Sequence, residues 1–251
     1  MKGFLVSGLV AGLLLGGASL TQAATVTTVI DNFSDVVPNV PNQDLLRLLV
    51  NSANPNASAL ETSLTGVLGN SRLSQLTYTT PTNVIGSAIL AINTSSGGIA
   101  AVTNDIVGGG ANSTSVITWN RAGAGLGANF STLTGSNAGF FLEFPDPIPT
   151  NVSITLQAQR NVGSGPVSSR TFNAVTGTVG IPFSTFSDPT FFNSPFGSLS
   201  MTINGNTAYR VAINQVYVQG DDLGSIPEPS FLMGFLALAT LGIGTGLTRK
   251  K

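Results

Sequence analysis

Between Thr25 and Ser225 the chain is written in short runs that alternate apolar and polar residues, each closed off by Gly, Pro, Asn or Ser. Arg72-Leu-Ser-Gln-Leu-Thr-Tyr78 and Asn151-Val-Ser-Ile-Thr-Leu-Gln157 show the pattern most cleanly. In the second run Val152, Ile154 and Leu156 share one face, with Ser153, Thr155 and Gln157 on the other. A period of two is the signature of a strand buried on one side only. Several such strands in succession, separated by turn residues, predict an antiparallel β-sandwich.

The remaining expected strands are Thr25 to Ile30, Ile85 to Ile92, Ser115 to Trp119, Gly139 to Phe144, Ser169 to Asn173, Thr178 to Phe183, Leu199 to Ile203 and Tyr209 to Val218. Pro145-Asp-Pro-Ile-Pro149 reads as a hairpin-like corner between two of them. Asn204-Gly205-Asn206, lying between alternating runs, reads as a tight hairpin. Gly123-Ala-Gly-Leu-Gly127 lacks the strand-to-helix context of a nucleotide loop and reads as an ordinary loop. One short helix is expected, capped by Asn42 and running from Gln43 to Val50. No fixed-period repeat is legible.

Composition removes several functions. The segment from Thr25 to Ser225 holds no Cys, His or Lys, ten carboxylates and six arginines. Disulfides, thiol chemistry and histidine catalysis are therefore excluded there. A mildly acidic domain with so few cations is a poor nucleic-acid binder. Only 8% of the chain is charged, so the surface must be built from hydroxyls and amides. Such a surface suits an extracellular all-β protein, whether it binds sugars, adheres or fills a matrix.

Both ends read as sorting segments. Lys2, the apolar stretch Phe4 to Leu20 and Thr21-Gln22-Ala23 form a secretory signal peptide over residues 1–23, cut after Ala23 or, alternatively, Ala24. The domain then spans 24–222 and a linker 223–230. Phe231 to Leu247 is uncharged, and seventeen helical residues rise about 25 Å, close to a hydrocarbon core of about 30 Å. Including Thr248, residues 231–248 form a transmembrane helix. Arg249, Lys250 and Lys251 then lie on the cytoplasmic side. Pro227-Glu228-Pro229 falls just outside the opposite face, held extended by its prolines.

That order of Pro-Glu-Pro, apolar helix and basic cluster resembles the PEP-CTERM sorting signal of Gram-negative bacteria. The resemblance covers Ile226 to Lys251, with Thr248 where many members already carry a basic residue. It implies an exosortase as partner, downstream of the secretion machinery, and processing near Pro227, Glu228 and Pro229. It also implies transient membrane anchoring, a final place at the cell surface or outside the cell, and a setting of exopolysaccharide and biofilm. The rival reading is a type I membrane protein whose tail is never cut.

A second resemblance runs through the domain. Asp31-Asn-Phe-Ser-Asp35, Gly66-Val-Leu-Gly-Asn-Ser-Arg72, Val179-Gly-Ile-Pro-Phe-Ser-Thr-Phe186 and Val211 to Val218 follow one another in the order seen in jelly-roll sandwiches of the carbohydrate-binding-module and galactose-binding-like type. It implies a jelly-roll-like path, extracellular polysaccharide as partner and a structural role for Arg72. Modules of this kind often hold a structural Ca²⁺ near both chain ends, which makes Asp31, Asp35, Asp221 and Asp222 the candidate ligands. No other cofactor is expected. Trp119 and Tyr78, then Tyr209 and Tyr217, are the candidate platforms for a sugar ring. Glu61, Glu143 and Asp146 are the carboxylates a glycan-acting enzyme would need, but alternation turns Glu143 outward and no catalytic constellation is legible.

Overall fold

The computed structural model describes residues 25–41, 43–79, 85–94, 98–107, 112–206 and 208–222. The signal segment, the Pro227-Glu228-Pro229 motif, the apolar helix and the terminal basic cluster lie outside the described residues. Among those described there are strands and short 3-10 turns and no α-helix.

The strands are β1 (Thr25–Asp31), β2 (Leu45–Asn51), β3 (Asn56–Thr62), β4 (Ser71–Thr79), β5 (Ile85–Asn93), β6 (Ile99–Val107), β7 (Asn112–Trp119), β8 (Leu133–Phe144), β9 (Val152–Asn161), β10 (Ser164–Asn173), β11 (Gly177–Pro182), β12 (Ser198–Asn206), β13 (Tyr209–Ile213) and β14 (Gln215–Asp222). All their pairings are antiparallel. A six-stranded sheet runs β10-β9-β12-β7-β4-β3, and two four-stranded sheets run β1-β14-β8-β11 and β13-β6-β5-β2. Inward residues of all three, among them Leu90, Val102, Ile117, Phe140, Leu156, Met201 and Val218, form one buried core. The chain passes repeatedly between sheets, from β8 to β9, β10 to β11 and β12 to β13, as a jelly-roll path requires.

Four local expectations are corrected. The expected helix over Gln43 to Val50 is strand β2, and its cap Asn42 lies outside the described residues. Leu46, Leu48 and Val50 are buried while Arg47 and Leu49 are exposed, so the leucine-rich run obeys a period of two. One side of β2 pairs with β5. On the other, the Asn39 side chain accepts from Arg47 N (2.7 Å) and donates to Arg47 O (2.8 Å), closing an edge that would otherwise be open.

The Pro145–Pro149 corner joins no hairpin. β8 lies in the sheet with β14 and β11, whereas β9 lies in the six-stranded sheet. Asn204-Gly205-Asn206 is likewise not a turn but the end of β12, paired with Thr114, Ser113 and Asn112 of β7. A Cβ at Gly205 would stand 2.5 Å from the Tyr209 ring, so the glycine serves close packing. Finally, the single strand expected from Tyr209 to Val218 breaks at Asn214. β13 pairs with β6, β14 pairs with β1 and β8, and Asn214 N donates to Glu143 O at 2.9 Å.

Candidate functional site

Asp31, Glu61, Arg72 and Trp119 are all buried, and they hold one another. Arg72 Nε and Nη2 donate to Glu61 at 2.8 and 3.1 Å, and Nη1 donates to both oxygens of Asp31 at 3.0 and 2.9 Å. Trp119 Nε1 donates to Asp31 Oδ2 at 2.9 Å, and Phe33 N to Asp31 Oδ1 at 2.8 Å. Arg72 Nη2 also donates to Asp35 O, and Glu61 Oε1 accepts from Val37 N. Burial raises the Asp31 carboxyl above its ordinary value, and Arg72, Trp119 and Phe33 offset this only in part. Burial also works against the Arg72 charge, but Asp31 and Glu61 outweigh it and hold the guanidinium protonated. The network pins the 32–37 segment onto β3 and β4. It takes Trp119 and Glu61 out of consideration as surface groups.

Tyr78 and Tyr209 are buried too, the latter with its hydroxyl 2.7 Å from Ser113 Oγ. Neither Trp119 nor Tyr78 therefore presents a ring to a ligand. The four candidate Ca²⁺ ligands do not converge. Asp31 stands opposite Val216, whereas Asp221 stands opposite Thr25 at the far end of β1. Six residues of strand separate them, about 20 Å. Asp35 binds Thr65 N and Oγ1 at 2.7 and 3.0 Å. Asp222 follows Asp221 in β14, opposite Leu133. Among the described residues no three acidic side chains gather at one point.

A different surface brings the right chemistry together. Val29 of β1, Tyr217 of β14, Phe141 of β8 and Gly180 of β11 are register neighbours across the outer face of the β1-β14-β8-β11 sheet. Phe141 and Tyr217 are half-buried and lie parallel, with ring centroids 5.3 Å apart and planes 11° apart. Gly180 makes this possible: a Cβ there would come within 2.9 Å of the Phe141 ring, so Phe141 leans over bare backbone. Burial raises the Tyr217 hydroxyl above its ordinary value, and the negative charge of Glu143 on the same face adds to it. Glu143 does turn outward, between buried Leu142 and Phe144.

Beside Phe141 opens a cleft of about 190 Å³, lined among others by Gln219, Asp221, Ser136 and Asn137. Gly139, opposite Gln219, is itself buried: a Cβ there would meet the Ile181 carbonyl oxygen of β11 at 2.2 Å. Asp221 is fixed through its backbone, since Thr134 Oγ1 donates to its carbonyl at 3.2 Å. Gly135, at a φ of 90°, sits so close that a Cβ would meet Asp221 Oδ2 at 2.8 Å. Its carboxylate makes no hydrogen bond or ion pair to the described residues. An aromatic face, one free carboxylate and a rim of amides and hydroxyls can receive a single sugar ring, its CH face on Phe141 and its hydroxyls on the rim. They cannot perform two-carboxylate hydrolysis. Glu143 stands opposite Gln215, six residues along β14 from Asp221 and so about 20 Å away, against the roughly 10 Å limit of that mechanism.

Sequence reasoning named Tyr217 among the rings but missed Phe141, because alternation in β8 points to the buried Phe140, Leu142 and Phe144. Gly180 opposite Phe141 is visible only once the β8-β11 register is known.

No protein-family model matches the chain, and no curated protein is significantly similar to it. Among solved structures, it is similar to a family 11 carbohydrate-binding module from Clostridium thermocellum in complex with a β-1,3-1,4-mixed-linked tetrasaccharide. The identity is 11%, the match covers 78% of this chain and 96% of that one, and the TM-score is 0.38. A family 11 module of a cellulosomal cellulase of the same organism gives 10% identity, coverages of 79% and 96%, and a TM-score of 0.37. A mutant family 29 carbohydrate-binding module gives 11% identity, coverages of 85% and 98%, and a TM-score of 0.26. Overlaps at these scores carry no argument about ligand or descent. The all-β antiparallel sandwich stands on the strand pairing of this chain itself.

Proposed function

We propose that this chain is an exported protein of the cell surface or extracellular matrix whose sandwich binds extracellular polysaccharide through the outer face of the β1-β14-β8-β11 sheet. One observation carries the reading. Phe141 and Tyr217 lie parallel and half-exposed beside a cleft that holds the free carboxylate of Asp221 and the amides of Gln219 and Asn137. Ligand sites typically combine aromatic side chains with a few placed polar groups in a concave surface, as this face does. In the proposed complex Phe141 takes the apolar face of one ring, and Asp221 and Gln219 select its hydroxyls. The domain is non-catalytic in this reading. Delivery follows the tail: an exosortase recognises the segment from Ile226 onward and cuts near Pro227-Glu228-Pro229, releasing the domain from the membrane.

Affinity electrophoresis of the full chain through gels containing soluble polysaccharides tests the binding. Phe141→Ser is expected to weaken retardation about tenfold, roughly 1.4 kcal/mol, while the variant keeps the wild-type circular dichroism spectrum at the assay temperature. Equal retardation of wild type and variant by every polysaccharide would sink the assigned face. Intact mass in the native host tests delivery: the mature form should lack the residues after the Pro-Glu-Pro motif only when the exosortase is present. Retention of Lys251 in both strains would contradict it.

A further inference from the structure

The cations of the domain are unevenly placed. Of the six arginines between Thr25 and Ser225, Arg72 is spent in the buried network. Arg160 donates to the carbonyls of Phe191, Ser194 and Pro195, with its guanidinium over the Phe191 ring. Arg47 of β2 and Arg210 of β13 stand on the two outer strands of the β13-β6-β5-β2 sheet, and both line a single hollow. Both are exposed. Among the described residues, ion pairs are made by Arg72 alone, and neither the Arg47 nor the Arg210 guanidinium donates a hydrogen bond.

The sheet itself sets this hollow. Leu48, Leu90, Val102 and Val211 face the core, so the alternate residues of each strand face outward. Register then puts Arg210, Thr103, Ile89 and Leu49 in one outward row, and Ala101, Ala91 and Arg47 in the next. The two arginines stand three strand spacings apart across the sheet, about 14 Å. Between them the side chains are short and apolar: Ala91 and Ala101, with Ile89 and Ile99, line a hollow of about 350 Å³. No carboxylate is among the described residues that line it. Asp105 stands opposite Ser87, in the row beyond Arg210 and on the side away from Arg47.

Ten carboxylates against six arginines make the domain acidic, so a hollow lined by two cations and no acid reverses the sign that composition sets. A neutral ligand would leave both guanidiniums as they are in water, whereas an anion gains charge-assisted, two-pronged hydrogen bonds from each. The volume lies in the range of about 300–1,000 Å³ that small-ligand sites occupy, and the alkyl lining suits the CH face of a ring. An acidic peptide would seek a free strand edge on which to extend the sheet, but beside Arg47 that edge is taken, because Asn39 bonds both the N and the O of Arg47. We propose that the outer face of the β13-β6-β5-β2 sheet holds an acidic sugar of a polysaccharide, its ring on the alkyl lining and its carboxylate on Arg47 and Arg210. The demand for an anion comes from the hollow itself. The choice of a polysaccharide to carry it rests on the glycan reading above.

Retention on beads tests the proposal, with the full chain kept soluble in a zwitterionic detergent at low salt, where exposed charges are least screened. The beads carry polygalacturonate or alginate, the same polymers esterified at their carboxylates, or poly-glutamate. Wild type is expected to be retained by at least one of the two free uronic-acid polymers and released by its ester. Arg47→Gln and Arg210→Gln, both at exposed positions, should each weaken that retention about tenfold while keeping the wild-type circular dichroism spectrum. Arg170→Gln removes the same charge from an exposed position on β10 and should leave retention as in wild type. Equal retention by the free and esterified polymers, or equal losses in all three variants, overturns the site. Tighter retention by poly-glutamate than by either uronic-acid polymer overturns the sugar as its ligand. No retention on any bead, with neutral polymers still retarded in the gel, removes this site and leaves the Phe141 face. Arginine-dependent retention on the uronic-acid beads, with no neutral polymer retarded, removes the Phe141 reading and leaves this one.

Discussion

Replacing Arg72 by Met removes one guanidinium from between two buried carboxylates and nearly preserves the side-chain volume. Arg72, Asp31 and Glu61 are each no more than 1% exposed, and the guanidinium spends four of its hydrogen bonds on the two acids. Trp119, Phe33 and Val37 still donate to the acids in the variant, but no cation remains to balance them. Breaking a buried pair from one side costs about 3–5 kcal/mol, because an uncompensated buried charge is left behind. For a domain of this size each kcal/mol lowers the melting temperature by about 2–4 °C, giving an expected fall of about 6–20 °C. Trp119 is the chain's one tryptophan and touches the network directly, so its fluorescence reports the transition. Changing Asp31, Glu61 and Arg72 together to apolar residues of similar volume should recover most of the loss. A cost below about 1 kcal/mol for Arg72→Met, the value of a solvent-exposed pair, would refute the reasoning.

Three further outcomes are expected. Gly139→Ala places a Cβ 2.2 Å from the Ile181 carbonyl oxygen, so it should cost about 1–3 kcal/mol or more by urea titration, and an unchanged midpoint would count against the β8-β11 register. All three tyrosines are raised above the usual value of 10.0 by burial, partly offset at Tyr209 by its Ser113 bond and increased at Tyr217 by Glu143. The unfolded chain therefore releases these protons first, stability should fall as pH climbs above 10, and ultraviolet titration should show little tyrosinate before unfolding. Asp35 runs the other way: the Thr65 N–H lowers its carboxyl below 3.8, so the stability it contributes is complete above that pH and is lost as pH falls through the lowered value. Asp35→Asn should flatten that part of the acid limb; an acid limb identical to wild type would contradict the Thr65 bond.

The sandwich was legible in the sequence because one-sided burial writes a period of two into β4, β7, β8, β9 and β12. The misreadings have a common cause. Leu45 to Val50 is as leucine-rich as a helix, and only its pairing with β5 and the Asn39 clamp make it a strand. Asn204-Gly205-Asn206 has the composition of a turn, but Tyr209 packing over Gly205 requires a bare backbone in a continuing strand. Both depend on partners distant in sequence, which local pattern does not encode. The site followed the same rule. Rarity drew attention to Trp119, yet its polar N–H is spent on buried Asp31. Asp31 and Asp221 suggested a shared ion because they open and close the domain, but antiparallel pairing of β1 with β14 puts them at opposite strand ends. Phe141 shares the outward parity of Glu143 in β8, but that bare Gly180 lies beside it follows only from the β8-β11 register, which the sequence does not encode.

The most direct measurement is saturation-transfer NMR on the full chain with a retarding soluble polysaccharide, irradiating the aromatic protons. Binding on the outer face of the β1-β14-β8-β11 sheet predicts transfer to the sugar ring protons that is lost in Phe141→Ser and persists in Trp119→Phe. Equal transfer in wild type and Phe141→Ser would place the glycan elsewhere and contradict the account.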